Sequence, residues 1–97
     1  MGEYDTHAEG NSTEARGNMS HAEGYKSIAG GVTAHAEGHT TSASASGSHA
    51  EGRETSAQGT YSHAEGNLSI ATGQSSHAEG VSTMAIGDCS HTEGERS

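Results

Sequence analysis

Histidine and glutamate recur together as His-x-Glu at His7 and Glu9, His21 and Glu23, His35 and Glu37, His49 and Glu51, His63 and Glu65, His77 and Glu79, and His91 and Glu93, always in steps of fourteen residues. Imidazole and carboxylate are the side chains of proton transfer, ion pairing and metal ligation, so the pair sets the first question about chemistry. A Ser-His-carboxylate triad needs one member of each type placed differently from its copies, and no repeat here is singular enough to be such a site. No P-loop and no GxGxxG fingerprint is present. His-x-Glu does offer nitrogen and oxygen ligands, but a repeat multiplies every residue it contains, so spacing alone assigns no metal and no cofactor is expected.

The elements that place these residues follow from the repeat. His-Ala-Glu-Gly ends at Gly10, Gly24, Gly38, Gly52, Gly66 and Gly80, and His91-Thr92-Glu93-Gly94 keeps the step. Fixed-period similarity without insertions marks a solenoid, each repeat packing on the next. Within the fourteen lies a heptad, Ser/Thr-x-Ala-x-Gly-x-x, as in Thr55-Ser56-Ala57-Gln58-Gly59 and Thr83-Met84-Ala85-Ile86-Gly87. Odd heptads carry His and Glu, while even ones drift between Glu14/Arg16, Ser42/Ser44, Ser56/Gln58 and Ile70/Thr72. A coiled coil needs large apolar residues at two heptad positions, and these hold Ala and Gly, so helix is the weaker reading.

Alternation in an extended strand turns Ser62, Ala64 and Gly66 to one side and His63 and Glu65 to the other. The predicted fold is all-β: a parallel β-roll of about seven coils, two short strands per coil, over residues 6–97. Its core is a column of small residues: Ala8, Ala15, Ala22, Ala29, Ala36, Ala43, Ala50, Ala57, Ala64, Ala71, Ala78 and Ala85. The Ser/Thr column is expected to face inward as well, which argues against an ice-binding face. The two residues after each Gly read as turns, as in Asn11-Ser12, Asn18-Met19 and Asn67-Leu68, where Gly permits positive φ and Asn tolerates it. In Thr41-Ser42-Ala43-Ser44-Ala45-Ser46-Gly47 the glycine comes two places late, and a locally different turn without a change of register is expected. The N-x-Ser/Thr matches at Asn11, Asn18 and Asn67 are by-products of a turn Asn followed by the obligatory hydroxyl.

Composition limits the remaining classes. With 28% hydrophobic residues and no Phe, Trp or Pro, the chain cannot fill an ordinary globular core. Composition alone would suit a disordered chain, but disorder gives no reason to keep Ala and Gly in phase. Thirteen acidic against four basic residues disfavour a nucleic-acid partner. No apolar run reaches membrane-spanning length, and no membrane contact by this segment is expected. Cys89 stands alone, which gives no internal disulfide framework. Residues 1–5 precede the repeat phase and read as a flanking segment. The unbroken phase to Ser97, without polar caps, reads as an excerpt of a longer fibrous protein.

The tandem Ser/Thr-x-Ala-x-Gly-x-x pattern, with Met84-Ala85-Ile86-Gly87-Asp88 as its best instance, resembles the YadA-like head repeats of trimeric autotransporter adhesins over residues 6–97. Repeats rich in His-Ala-Glu-Gly are also similar to those of phage tail and tail-spike proteins. The resemblance implies a left-handed roll and a side-by-side homotrimer. It also implies a non-enzymatic attachment role toward a host-surface or extracellular-matrix ligand, and an extracellular place on a bacterial cell surface or a phage virion. The alternative is a purely structural stalk of a phage tail fibre, with a metal-binding His/Glu ladder and an ice-binding solenoid as lesser readings.

Like carboxylates in neighbouring strands repel one another, so the Glu column needs donors, and imidazole can supply them. The expected trimer contact is therefore the face of His7, Glu9, His21, Glu23, His35, Glu37, His49, Glu51, His63, Glu65, His77, Glu79, His91 and Glu93, with each His hydrogen-bonded to a Glu or Ser, often of a neighbouring chain. Three His around such an axis could also hold zinc or nickel. The rival arrangement buries Ile28, Ile70, Met84 and Ile86 of the even face and exposes the His/Glu ladder; a monomer is the third.

Overall fold

A computed structural model describes residues 6–95; the expected flanking segment 1–5 lies outside them. Thirteen strands run in chain order: β1 (His7–Asn11), β2 (Glu14–Ala15), β3 (His21–Tyr25), β4 (Ile28–Ala29), β5 (His35–His39), β6 (Ser42–Ala43), β7 (His49–Arg53), β8 (Ser56–Ala57), β9 (His63–Asn67), β10 (Ile70–Ala71), β11 (His77–Val81), β12 (Met84–Ala85) and β13 (His91–Glu95). The odd strands form a seven-stranded sheet and the even ones a six-stranded sheet, each ordered by coil. Every pairing is parallel and shifted by one repeat, so His49 lies over His63 and Ala50 over Ala64. The chain is an all-β parallel solenoid of about six turns, where seven coils were expected, because the last odd strand has no short strand after it among the described residues.

The interior is as narrow as its residues require. Cα extents of 41 × 24 × 10 Å leave a slab whose whole thickness is about the usual spacing between two packed sheets. Ala22, Ala29, Ala36, Ala43, Ala50, Ala57, Ala64, Ala71, Ala78 and Ala85 are fully buried. Ala8 is a correction: it is exposed and Ala15 only half-buried, because no described coil covers β1 from the outside. Ala34, in the column otherwise held by Ser20, Ser48, Ser62 and Ser76, joins the core, a position the heptad rule assigned to a hydroxyl.

Hydroxyls fill the rest of the interior, and most of them bond within it, although Ser62 Oγ and Ser90 Oγ have no partner among the described residues. Ser20, Ser48 and Ser76 donate to the carbonyls of Gly17, Ala45 and Gly73 at 2.6–2.7 Å. Thr41 and Thr83 reach Ser27 and Ser69 of the preceding coil at 3.0 Å. With Ser27, Thr41, Thr55, Ser69 and Thr83 at 0–1% exposure, that column presents nothing to bulk water. The ice-binding reading therefore has no hydroxyl face there to rest on.

The turns correct the sequence reading. Besides the odd-strand glycines, positive φ falls on the second residue after the glycine whatever its type, as at Met19, Glu54, Tyr61 and Leu68, with φ of 54–62°, and not on the Asn before it. In that place the backbone N–H points back to the preceding coil: Leu68 N–H donates to Arg53 O at 2.9 Å and Tyr61 N–H to Ser46 O at 2.9 Å. The coil-to-coil bond selects the conformation. In the exceptional heptad Gly47, φ 66°, takes the same place and makes the same bond, to Val32 O, so the turn matches its neighbours. The expectation of a different turn was wrong, since Gly47 relieves the left-handed residue while Ala45 stands where Gly17 and Gly59 stand. Gly66 is also misplaced by simple alternation: it is exposed at the strand end, with φ 108°.

Leu68→Gly should accordingly raise stability. A left-handed L-residue costs about 1–2 kcal/mol, and glycine gives back about 0.5–1 kcal/mol in unfolded-chain entropy. Leu68 is 47% exposed, so little packing is lost. The expected net gain is about 0.5–1 kcal/mol, read as a higher urea midpoint at unchanged slope; a lower midpoint would contradict this account of the turn.

Candidate functional site

The odd strands hold His at their first residue and Glu at their third, both pointing outward, and from β3 to β11 the Ala between them is buried. Exact one-repeat register then stacks the side chains. Neighbouring imidazoles from His7 to His91 lie 4.5–4.7 Å apart between ring centroids, with planes 1–19° from parallel. This continuous column of rings follows from the register, but its ring-on-ring geometry was not read from the sequence.

Each imidazole is paired with the carboxylate two residues on. Nε2 of His7, His21, His35, His49 and His63 hydrogen-bonds to Oε1 of Glu9, Glu23, Glu37, Glu51 and Glu65 at 2.5–3.1 Å. His77 and His91 approach Glu79 and Glu93 at 2.9 and 3.3 Å. The donor that the Glu column needs is thus histidine, as expected, and the Glu it meets is that of its own coil, where one of a neighbouring chain had often been expected. In the inner coils the paired side chains are about one-third exposed, rising above half at the two ends.

Electrostatics follows the stacking. Burial, then the charges of His49 and His77, hold His63 below the usual imidazole range despite the attraction of Glu65. The hydrogen bond from His21 holds Glu23 below the usual carboxylate range, against opposition from burial and Glu9. At His63 burial and the neighbouring rings thus penalise the charged form and favour neutral imidazole beside carboxylate.

Beside the Glu column runs a groove. It is lined from Glu9 and Gly10 to Glu93 and Gly94 by one Glu and one Gly per coil. The glycines keep it open, since a Cβ on Gly52 would stand 2.1 Å from Gly66 O. One position further along, Tyr25 and His39 stack at 4.9 Å, and Lys26 Nζ lies 5.4 Å from the Tyr25 ring centre.

The opposite sheet has no such uniformity. Ile28 and Ile70 are half-buried, Met84 and Ile86 are 47% and 63% exposed, and Glu14 pairs with Arg16 in its own coil. Cys89 is a free, exposed thiol in a turn.

Comparison with known proteins fits this architecture. Residues 50–76 and 64–88 each match the YadA head domain repeat, as two overlapping copies. No curated protein and no solved structure matches the chain. The matched segment spans β8 to β12 and keeps one register with the coils on either side. Residues 50–88 are thus similar to YadA head domain repeats, and they sit within an unbroken stack of the same coils.

Proposed function

We propose that three copies of this chain assemble side by side, as left-handed rolls, into a rigid adhesin-head segment exposed on a bacterial surface. Its outer faces would attach to a host-surface or extracellular-matrix ligand. The observation that carries the reading is the uniformity of the long-strand face. A three-fold axis parallel to the roll repeats one contact at every level, and only the His/Glu face offers the same residues in each coil, from His7 and Glu9 to His91 and Glu93. The short-strand face changes from Glu14/Arg16 to Ser42/Ser44 to Met84/Ile86 and is free to vary as a solvated or ligand-facing surface does.

Intrachain pairing suits such a contact. Each His already donates to one carboxylate oxygen of its Glu, so a neighbouring chain need not supply that donor. The groove floored by glycine leaves room along the full length for a ridge of side chains from a second copy. The family match gives the phage-fibre alternative no support of its own.

Light scattering tests the assembly. The expected mass is about three times the 9.8 kDa of one chain, and a monomer would remove the basis for a His/Glu interface. Attachment is tested by comparing ligand binding of this array with that of the whole protein. Retained binding by the array supports a direct role, and binding confined to other parts would make it a spacer.

A further inference from the structure

Stacking brings donor atoms of one chain around a common point at several levels of the ladder. His49, Glu51 and His63 each offer a ligand atom, all within 4.8 Å of one another, as do His63, Glu65 and His77, and His77, Glu79 and His91. Glu65 shows how: its Oε1 lies 3.1 Å from His63 Nε2 and its Oε2 3.9 Å from His77 Nε2 in the next coil. That His77 nitrogen is closed off from solvent and has no aligned hydrogen-bond partner, although Glu79 Oε1 is 2.9 Å away. A polar atom held between two carboxylates without a bond is a costly arrangement unless something cationic joins them.

We propose that this part of the ladder binds divalent transition-metal ions, each held by Nε2 of two histidines from consecutive coils and by the carboxylate between them. Two imidazoles and a carboxylate, with a fourth position left for water, form a donor set that zinc accepts, and imidazole also suits nickel and copper. Metal–nitrogen bonds of about 2.0–2.1 Å require the Nε2 ends of two rings to tip together, because parallel rings at 4.5–4.6 Å cannot aim both lone pairs at one ion. The one-third exposure of these side chains leaves room for the tilt. The ion takes the place of the proton on Nε2, and its charge offsets the repulsion along the Glu column.

Sharing sets the stoichiometry. The middle group uses His63 and His77, which belong also to the outer groups, so filling both outer groups excludes it and each chain takes about two ions between His49 and His91. All three donors of a site belong to one chain, so the inference does not rest on the trimer.

The test is calorimetric titration of zinc chloride, and separately nickel chloride, into chain prepared without a metal-affinity step and stripped with chelator. Saturation is expected at about two ions per chain. It should be lost in the double variant His63→Ala/His77→Ala and kept in His7→Ala/His21→Ala, with circular dichroism reporting that each stack is intact. Should the first variant fail to fold, Glu51→Gln/Glu79→Gln keeps the rings and leaves only the middle group whole, so saturation is expected to fall to about one ion per chain. Lack of saturable binding overturns the proposal. So does binding that survives His63→Ala/His77→Ala, the result expected of ions held on a three-fold axis by one histidine from each chain.

Discussion

Gly52→Ala is expected to break the middle of the stack. Gly52 has φ 111°, where an L side chain is strained by about 1–3 kcal/mol before any contact is counted. The added Cβ would lie 2.1 Å from Gly66 O and 2.8 Å from Gly66 N, and both are backbone atoms of the paired strand. Relief requires parting two coils whose separation is set by their hydrogen bonds, so ladder bonds are lost together with the glycine conformation. The expected cost exceeds about 4 kcal/mol, in the range reserved for specific structural faults. At about 4–8 °C per kcal/mol for a chain of this size, the melting temperature should fall by roughly 20 °C or more. In a stack where each coil touches only its neighbours, the coils on either side of the fault should then melt separately. The informative control is Gly59→Ala. Its Cβ would also meet a carbonyl, Gly73 O at 2.1 Å, but its φ is not positive, and Ala45 already occupies the corresponding place two heptads earlier. Gly59→Ala should therefore be the milder of the two. A melting temperature for Gly52→Ala within a few degrees of the parent, or a harsher effect of Gly59→Ala, would contradict this view of the groove glycines.

That contrast shows which parts of the fold could be read from residues alone. Fourteen-residue spacing predicts one-repeat register because a parallel solenoid sets each residue on its own copy, and His49 over His63 is that register. Alternation predicts the buried alanines for the same reason: Ala64 lies between outward His63 and Glu65 and is fully buried. The turns were legible at glycines such as Gly66, with φ 108°, but not two residues further on, where intrinsic preference does not name the residue and the deciding bond runs between coils. Tyr61 and Leu68 adopt φ of 60° and 62° to make it. Ala8 was misjudged because a repeat pattern does not mark which copy has a neighbour on only one side. At the ladder, His and Glu on one face were legible from their separation of two. Which oxygen meets which nitrogen depends on side-chain torsions that spacing does not encode, so pairing within the coil and the grouping of His63, Glu65 and His77 emerged only from the three-dimensional arrangement.

Acidification of the metal-free chain is expected to lower its stability in two stages of the same sign. Stacked rings 4.5–4.7 Å apart cannot all be charged cheaply, since two unit charges at that distance repel by on the order of 1 kcal/mol even at the dielectric of bulk water. Burial and its two ring neighbours hold His63 below 6.5, so the folded chain binds fewer protons there than the unfolded chain. Its contribution is present at neutral pH and is lost as pH falls from 6.5 through the lowered folded value. Glu23, held below 4.5 first by the hydrogen bond from His21, contributes above 4.5 and loses that contribution as pH falls through its own lowered value. An opposing effect runs alongside, because the net charge of −9 shrinks on acidification and self-repulsion weakens with it. The effect at His63 should prevail, because burial and two neighbouring rings act on it at contact distance. Melting temperatures measured in chelator at constant ionic strength should therefore decline from pH 6.5 downward and again below 4.5. His63→Gln, which cannot charge, should flatten the first decline; a melting temperature that rises between neutral pH and the isoelectric point near 5.1 would show that overall charge, and not the ladder, governs the acid response.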